Sequence, residues 1–152
     1  MKCIVARANT FEEARKNIRE LKSNFSKEKI GFVSGDDELN RKVMEKEDIN
    51  FLTISQINRK DRLKQRDSGF NQVMAKIAKK KDIVIGICLD EIINYKGKQK
   101  ADIIARIKQN VEICSKNKLN MRFCGKTERD IYGLKALGAV LGMPTWMIRN
   151  LE

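Results

Sequence analysis

The chain has 152 residues, 41% of them apolar and 34% charged, with a net charge of +12 and no histidine. A chain of this length is expected to form one domain, residues 1–152, burying roughly two-thirds of its unfolded surface without disulfide or metal staples. The missing histidine excludes histidine-based zinc sites, binuclear hydrolase sites and Ser-His or Cys-His nucleophile pairs, while carboxylate-only magnesium sites remain open.

Cys3 to Arg7 reads as a short buried strand, and Thr10 with Glu13 forms a capping box ahead of Phe11, Ala14, Ile18 and Leu21 at helical spacing. Ile30 to Val33 is a second strand. Ser34-Gly35-Asp36-Asp37 is a turn that caps a helix carrying Leu39 and Val43, and Phe51 to Ile54 is a third strand. Gln56 to Asp67 is polar and aperiodic, hence a loop. Asp67-Ser68-Gly69 is expected to open a helix with Phe70, Val73, Met74 and Ile77 on one face. Ile83 to Leu89 is apolar nearly throughout, as in a strand covered on both faces. Asp90 to Asn94 gives one helical turn, which Tyr95-Lys96-Gly97-Lys98 breaks. A long helix follows with Ile103, Ile107, Val111 and Cys114 as its stripe. Met121 to Cys124 is the fifth strand. Thr127 with Asp130 caps a helix bearing Ile131, Leu134, Leu137 and Leu141. After Gly142-Met143-Pro144 a last short helix, Thr145 to Leu151, brings Trp146 and Ile148 to bury. Strands alternating with helices imply an α/β fold: a parallel sheet with helical crossovers.

The charge is unevenly placed. Residues 1–57 hold 11 basic and 10 acidic side chains, and residues 58–152 hold 21 and 10. A field this lopsided attracts polyanions, and lysine and arginine contacts to phosphates gain from counterion release. The loop Arg59-Lys60-Asp61-Arg62-Leu63-Lys64-Gln65-Arg66 has five basic residues in eight positions. It follows a strand, placing it at the C-terminal edge of a parallel sheet, where ligands usually bind. Arg59, Lys60, Arg62, Lys64 and Arg66 are therefore the first candidates for RNA phosphate contact, since the guanidinium fork suits bidentate phosphate binding. Ser68 joins them as part of an expected helix N-terminus whose Gly69 and Phe70 N–H groups would add an anion site, unless Asp67 caps those groups itself. Lys76, Arg106 and Lys108 are secondary candidates on polar helix faces. The triplet Lys79 to Lys81 reads as a helix C-terminus favoured by the macrodipole.

Other chemistry has thin support. Gly31, Gly35 and Gly86 make neither a GxGxxG nor a Walker loop. Asp36, Asp37, Asp67 and Asp90 are the plausible suppliers of a carboxylate metal cluster. Cys3, Cys88, Cys114 and Cys124 lack metal-ligand spacing and read as small core hydrophobes of a reducing, cytoplasmic compartment. The sequence has no secretory signal and no apolar run approaching ~20 residues, so no membrane span or membrane partner is expected.

One stretch carries a family resemblance. KQRDSGFNQVMAKIAKKKDIVIGICLDEIIN, residues 64–94, resembles archaeal ribonuclease P protein component 3, the thirty-kilodalton subunit family. Arg66, Asp67, Ser68, Gly69, Ala75, Lys76 and Ala78 match position by position. KADIIARIKQNVEICSKNKLNMRF (residues 100–123) and YGLKALGAVLGM (residues 132–143) are also similar to the family. The resemblance implies a TIM-like (β/α) barrel related to the PHP-type phosphoesterases without their metal ligands. It implies a non-catalytic protein subunit of an RNA-based endonuclease that removes 5′ leaders from precursor tRNA. On that reading the chain binds no cofactor itself. Mg2+ is expected on the RNA, and the partners are ribonuclease P RNA, precursor tRNA and protein component 2, in a homodimer or heterotetramer. Relative to the family the chain is shorter at the N-terminus by about two βα units. About five strands cannot close an eight-stranded barrel, so the expected fold is an incomplete barrel covered by its own terminal segments, a second copy or a partner subunit. Two alternatives stand beside this: a metal-dependent phosphoesterase of the related barrel class, and a general RNA-binding or scaffold protein.

Overall fold

A computed structural model describes residues 3–126 and 128–151. In chain order the elements are β1 (Cys3–Arg7), α1 (Phe11–Asn24), β2 (Lys29–Ser34), α2 (Asp37–Lys46), β3 (Phe51–Ile54), α3 (Gln72–Lys81), β4 (Val84–Cys88), α4 (Leu89–Asn94), α5 (Gly97–Lys116), β5 (Met121–Cys124), α6 (Ile131–Val140) and α7 (Thr145–Arg149). The five strands form one parallel sheet in the order β1-β2-β3-β4-β5. Sequential order with crossovers of one hand puts every crossover helix on the same side of the sheet. That is the arrangement of a (β/α) barrel, here an incomplete one, because β1 and β5 stand at opposite ends of the sheet and do not pair. Among the described residues no helix is long and apolar enough to cross a membrane.

The sheet has two unlike faces, because side chains alternate along each strand. Ala6, Ile30, Phe32, Leu52, Ile54, Ile85, Ile87, Met121 and Phe123 point to the helices and join one buried core with Ile18, Val43, Met74, Ala78, Ile103, Ile107, Val111 and Cys114. The alternate residues face the barrel interior. In register these include the row Val5, Gly31, Phe51 and Val84, and the row Arg7, Val33, Thr53, Gly86 and Arg122. Large side chains there lie over glycines: a Cβ at Gly31 would enter the Phe51 ring, and one at Gly86 would meet the Thr53 hydroxyl. Cys3, Cys88 and Cys124 belong to this inner face and are half-buried, so Cys114 alone of the four lies in the helix-side core.

Local sequence signals set most boundaries. Thr10 Oγ1 accepts from Glu13 N at 3.3 Å, and Glu13 reaches back to Asn9 N at 3.1 Å. Asp36 caps α2 by accepting from Leu39 N at 3.0 Å. Asp130 caps α6 by accepting from Gly133 N, while the expected contribution of Thr127 falls outside the described residues. In α7, Met147 rather than Trp146 or Ile148 is fully buried; those two pack half-buried against the core.

The start of α3 differs from expectation. The helix begins at Gln72 with Asn71 as its cap, Oδ1 accepting from Met74 N at 3.0 Å. Asp67-Ser68-Gly69-Phe70 remain loop because Gly69 sits at φ +76°, a left-handed conformation incompatible with the first helical turn.

Candidate nucleic-acid interface

The β3–α3 connection, residues 55–71, leaves the C-terminal edge of the sheet and is tied down along its length. At its start, buried Glu91 of α4 accepts from Ser55 Oγ at 2.7 Å and from Gln56 N at 2.9 Å. Gln56 is itself buried, and its Nε2 donates to Ser68 O at 2.9 Å, closing the loop base. From α5, Gln109 accepts from Ser68 N at 3.1 Å and donates to Arg66 O at 3.1 Å.

Charge pairs complete the clasp. Asp61 accepts from Arg106 Nε at 2.9 Å, from Arg66 Nη1 at 2.9 Å and from Asp67 N at 3.0 Å. Arg66 also bonds Asp102 at 2.9 Å. Arg59 is paired with Asp37 at the start of α2, lies 3.9 Å from Asp67, and donates to Ser55 O and Gly35 O. Arg62 Nε reaches Asp67 at 3.0 Å. The Arg106 hydrogen bond, aided by the Asp67 N–H and Arg66 and opposed by burial, holds the Asp61 carboxyl down from 3.8 to about 2. The bonds to Asp102 and then Asp61 push the Arg66 guanidinium above its ordinary value.

The nine candidate residues thus divide. Arg106 departs from the expectation of a polar-face contact. It is 5% exposed, and its guanidinium is spent on Asp61, Gln56 O and Arg59 O. Arg59, its side chain 9% exposed, is likewise spent inside the loop. Ser68 is buried and marks no helix N-terminus, and the Gly69 and Phe70 N–H groups are taken by Asp67 Oδ1 and Ser68 Oγ. Arg66 is half-exposed but doubly paired. Lys60 and Lys64 are exposed and have no ion pair among the described residues. Arg62 is paired yet 77% exposed. Lys76 on α3 and Lys108 on α5 are exposed, and neither hydrogen-bonds to the loop.

The loop tip is a tight turn. Gln65 N donates to Arg62 O at 3.2 Å, Leu63 is 97% exposed, and Lys64 is held at φ +63°. Glycine is the favoured residue in such a position, and a lysine there carries backbone strain of about 1 kcal/mol. The turn therefore presents a cation where neutral glycine would fold more easily. Beside it lies a cleft of about 370 Å³ lined by Arg41, Arg62 and Arg66 together with Asp37, Glu38 and Asp67.

Sequence reasoning missed the partners that hold the loop: Asp37, Gln56, Asp61, Glu91, Asp102 and Gln109. One signal was present. Asp102, Arg106 and Gln109 fall four and three apart on α5, a polar stripe directly beside the apolar one. The four carboxylates of the phosphoesterase alternative do not meet as a set, and the two that approach each other, Asp37 and Asp67, do so across Arg59. Asp36 caps α2, Asp37 pairs Arg59, Asp67 pairs Arg62, and Asp90 accepts from Lys126 N at 2.9 Å. Among the described residues no three Asp, Glu, Cys or His side chains are placed to hold a metal ion.

No protein-family model matches the sequence, and no curated protein matches it. A chain in the cryo-electron-microscopy structure of archaeal Ribonuclease P with mature tRNA is similar in structure, with a TM-score of 0.78 and 18% identity. The likeness covers 95% of this chain and 62% of that one, so this chain spans under two-thirds of its neighbour's length. At this identity the likeness is one of fold.

Proposed function

We propose that this chain is an RNA-binding protein subunit of a ribonuclease P-type ribonucleoprotein, of the component 3 kind, which supports 5′-leader removal from precursor tRNA. The observation that carries the reading is the fold likeness over 95% of the chain to a chain of archaeal Ribonuclease P. The resemblance of residues 64–94, 100–123 and 132–143 to component 3 points the same way. In this reading Lys60, Arg62 and Lys64 make the phosphate contacts at the loop tip. Arg66, Lys76 and Lys108 add weaker ones, and Arg59, Ser68 and Arg106 position the loop. Catalysis and its Mg2+ belong to the RNA. The partners are that RNA, precursor tRNA and component 2, the setting is the cytoplasm, and a homodimer or heterotetramer is the assembly.

The loop supports this role physically. Long cationic side chains lose entropy when they engage phosphate, and a backbone already fixed by Glu91, Gln109 and Arg106 adds no ordering cost of its own. The test is fluorescence anisotropy with ribonuclease P RNA across a salt series. Replacing Lys60, Arg62 and Lys64 together by alanine is expected to weaken binding and to make the log–log salt slope shallower by about 2. An unchanged slope with a folded variant contradicts the assignment.

A further inference from the structure

At the N-terminal edge of the sheet, opposite the basic loop, a second group of cations surrounds a concavity that the proposed function does not use. The cavity measures about 460 Å³ and is lined by Lys29, Val84, Asn120, Met121, Arg122, Arg149 and Asn150. Three of these are cationic and none is acidic. Among the described residues Lys29, Arg122 and Arg149 form no ion pair.

Arg122 is the telling residue. It stands on the inner face of β5, its guanidinium carbon 5.1 Å from the centre of the Phe51 ring. Stacking on that ring holds the planar head in place at the cavity wall. Its Nε is fully buried and has no hydrogen-bond partner. A buried donor on a charged group is costly to leave unmet, and such groups are ordinarily paired. Among the described residues the two most deeply placed guanidinium groups follow that rule: Arg59 and Arg106 have acids and carbonyls around them. Asn150 Nδ2 donates to Asn120 Oδ1 at 2.9 Å, which uses the Asn120 acceptor and leaves its Nδ2 donor unspent.

We propose that Lys29, Arg122 and Arg149, with Asn120, form an anion site that takes a phosphate group. A phosphate carries up to two negative charges and several acceptor oxygens, matching three cations and an amide donor; a single carboxylate leaves most of that charge unanswered. The site does not depend on the RNA-binding reading of the loop, since it shares no residue with it.

The experiment follows the side-chain Nε–H resonance of Arg122 in ¹⁵N-labelled full-length protein while inorganic phosphate is added at constant ionic strength. The expected result is a saturable downfield shift of that resonance, lost in Arg122→Gln and weakened at least tenfold in Arg149→Gln. Arg149 is exposed at the end of α7, so that second variant keeps the test valid if Arg122→Gln disturbs packing on Phe51. Short oligoribonucleotides with and without a 5′-phosphate then distinguish the source. Displacement by both supports a backbone phosphodiester, and displacement by the first alone supports a terminal phosphate. Absence of a saturable shift overturns the proposal, as does an equal shift with chloride. A shift produced by a glutamate-rich peptide and not by phosphate overturns it in favour of an acidic protein segment. Alanine replacement of Lys60, Arg62 and Lys64 is expected to leave the phosphate titration unchanged.

Discussion

Asp61 is the acid on which the loop clasp closes, since Arg106, Arg66 and the Asp67 backbone all converge on it. Its removal leaves Arg106 buried without its acid. Asp61→Ala is therefore expected to cost about 3 kcal/mol in urea unfolding, whereas Lys60→Ala and Lys64→Ala, which lose no partner, change stability by under about 0.5 kcal/mol. The same carboxyl predicts a pH signature. Its folded value is depressed from 3.8 to about 2, so the stability it contributes is fully present above 3.8 and is lost as pH falls through about 2. Melting temperature is expected to drop across that window, and Asp61→Asn is expected to flatten the drop. A variant whose acid limb follows the parent contradicts the pairing.

Elements were legible where periodicity and caps speak locally. The five strands and the stripe Ile103, Ile107, Val111 and Cys114 fall where alternation and helical spacing put them. The start of α3 was not legible, because Asp67-Ser68-Gly69 has the composition of a helix N-terminus while the tertiary pull of Arg59, Gln56 and Gln109 keeps it in the loop. Nor was the fate of the basic run. Its neutralising acids Asp37 and Asp102 lie 22 and 36 positions from their arginines, so counting charges along the chain could not separate paired from free cations. Lys81 gives a similar lesson: it donates to Met44 O at 2.6 Å and Glu47 O at 2.8 Å, capping α2 rather than merely favouring its own helix end. Lys81→Met is expected to cost about 1 kcal/mol by thermal denaturation. On the sheet's inner face, Gly31→Ala forces its methyl into the Phe51 ring and is expected to destabilise the fold by about 2 kcal/mol. A neutral outcome there means that Phe51 does not fill the position.

The whole molecule is a parallel sheet with helices on one side and a thinly filled inner face on the other. Charge is dispersed over it in two different states. Around the β3–α3 loop the arginines are largely consumed by Asp37, Asp61, Asp67 and Asp102, and the cations left to solvent are mainly lysines. The sequence asymmetry between residues 1–57 and 58–152 therefore overstates the unpaired positive charge of the loop, and understates how firmly the loop is held. The proposed role is assistance to an RNA enzyme. It is tested most directly by cleavage of precursor tRNA by ribonuclease P RNA with component 2, at limiting Mg2+, with and without this chain. Faster leader removal is expected when the chain is present, with loss of that gain when Lys60, Arg62 and Lys64 are alanine. Equal rates with and without the chain would contradict it.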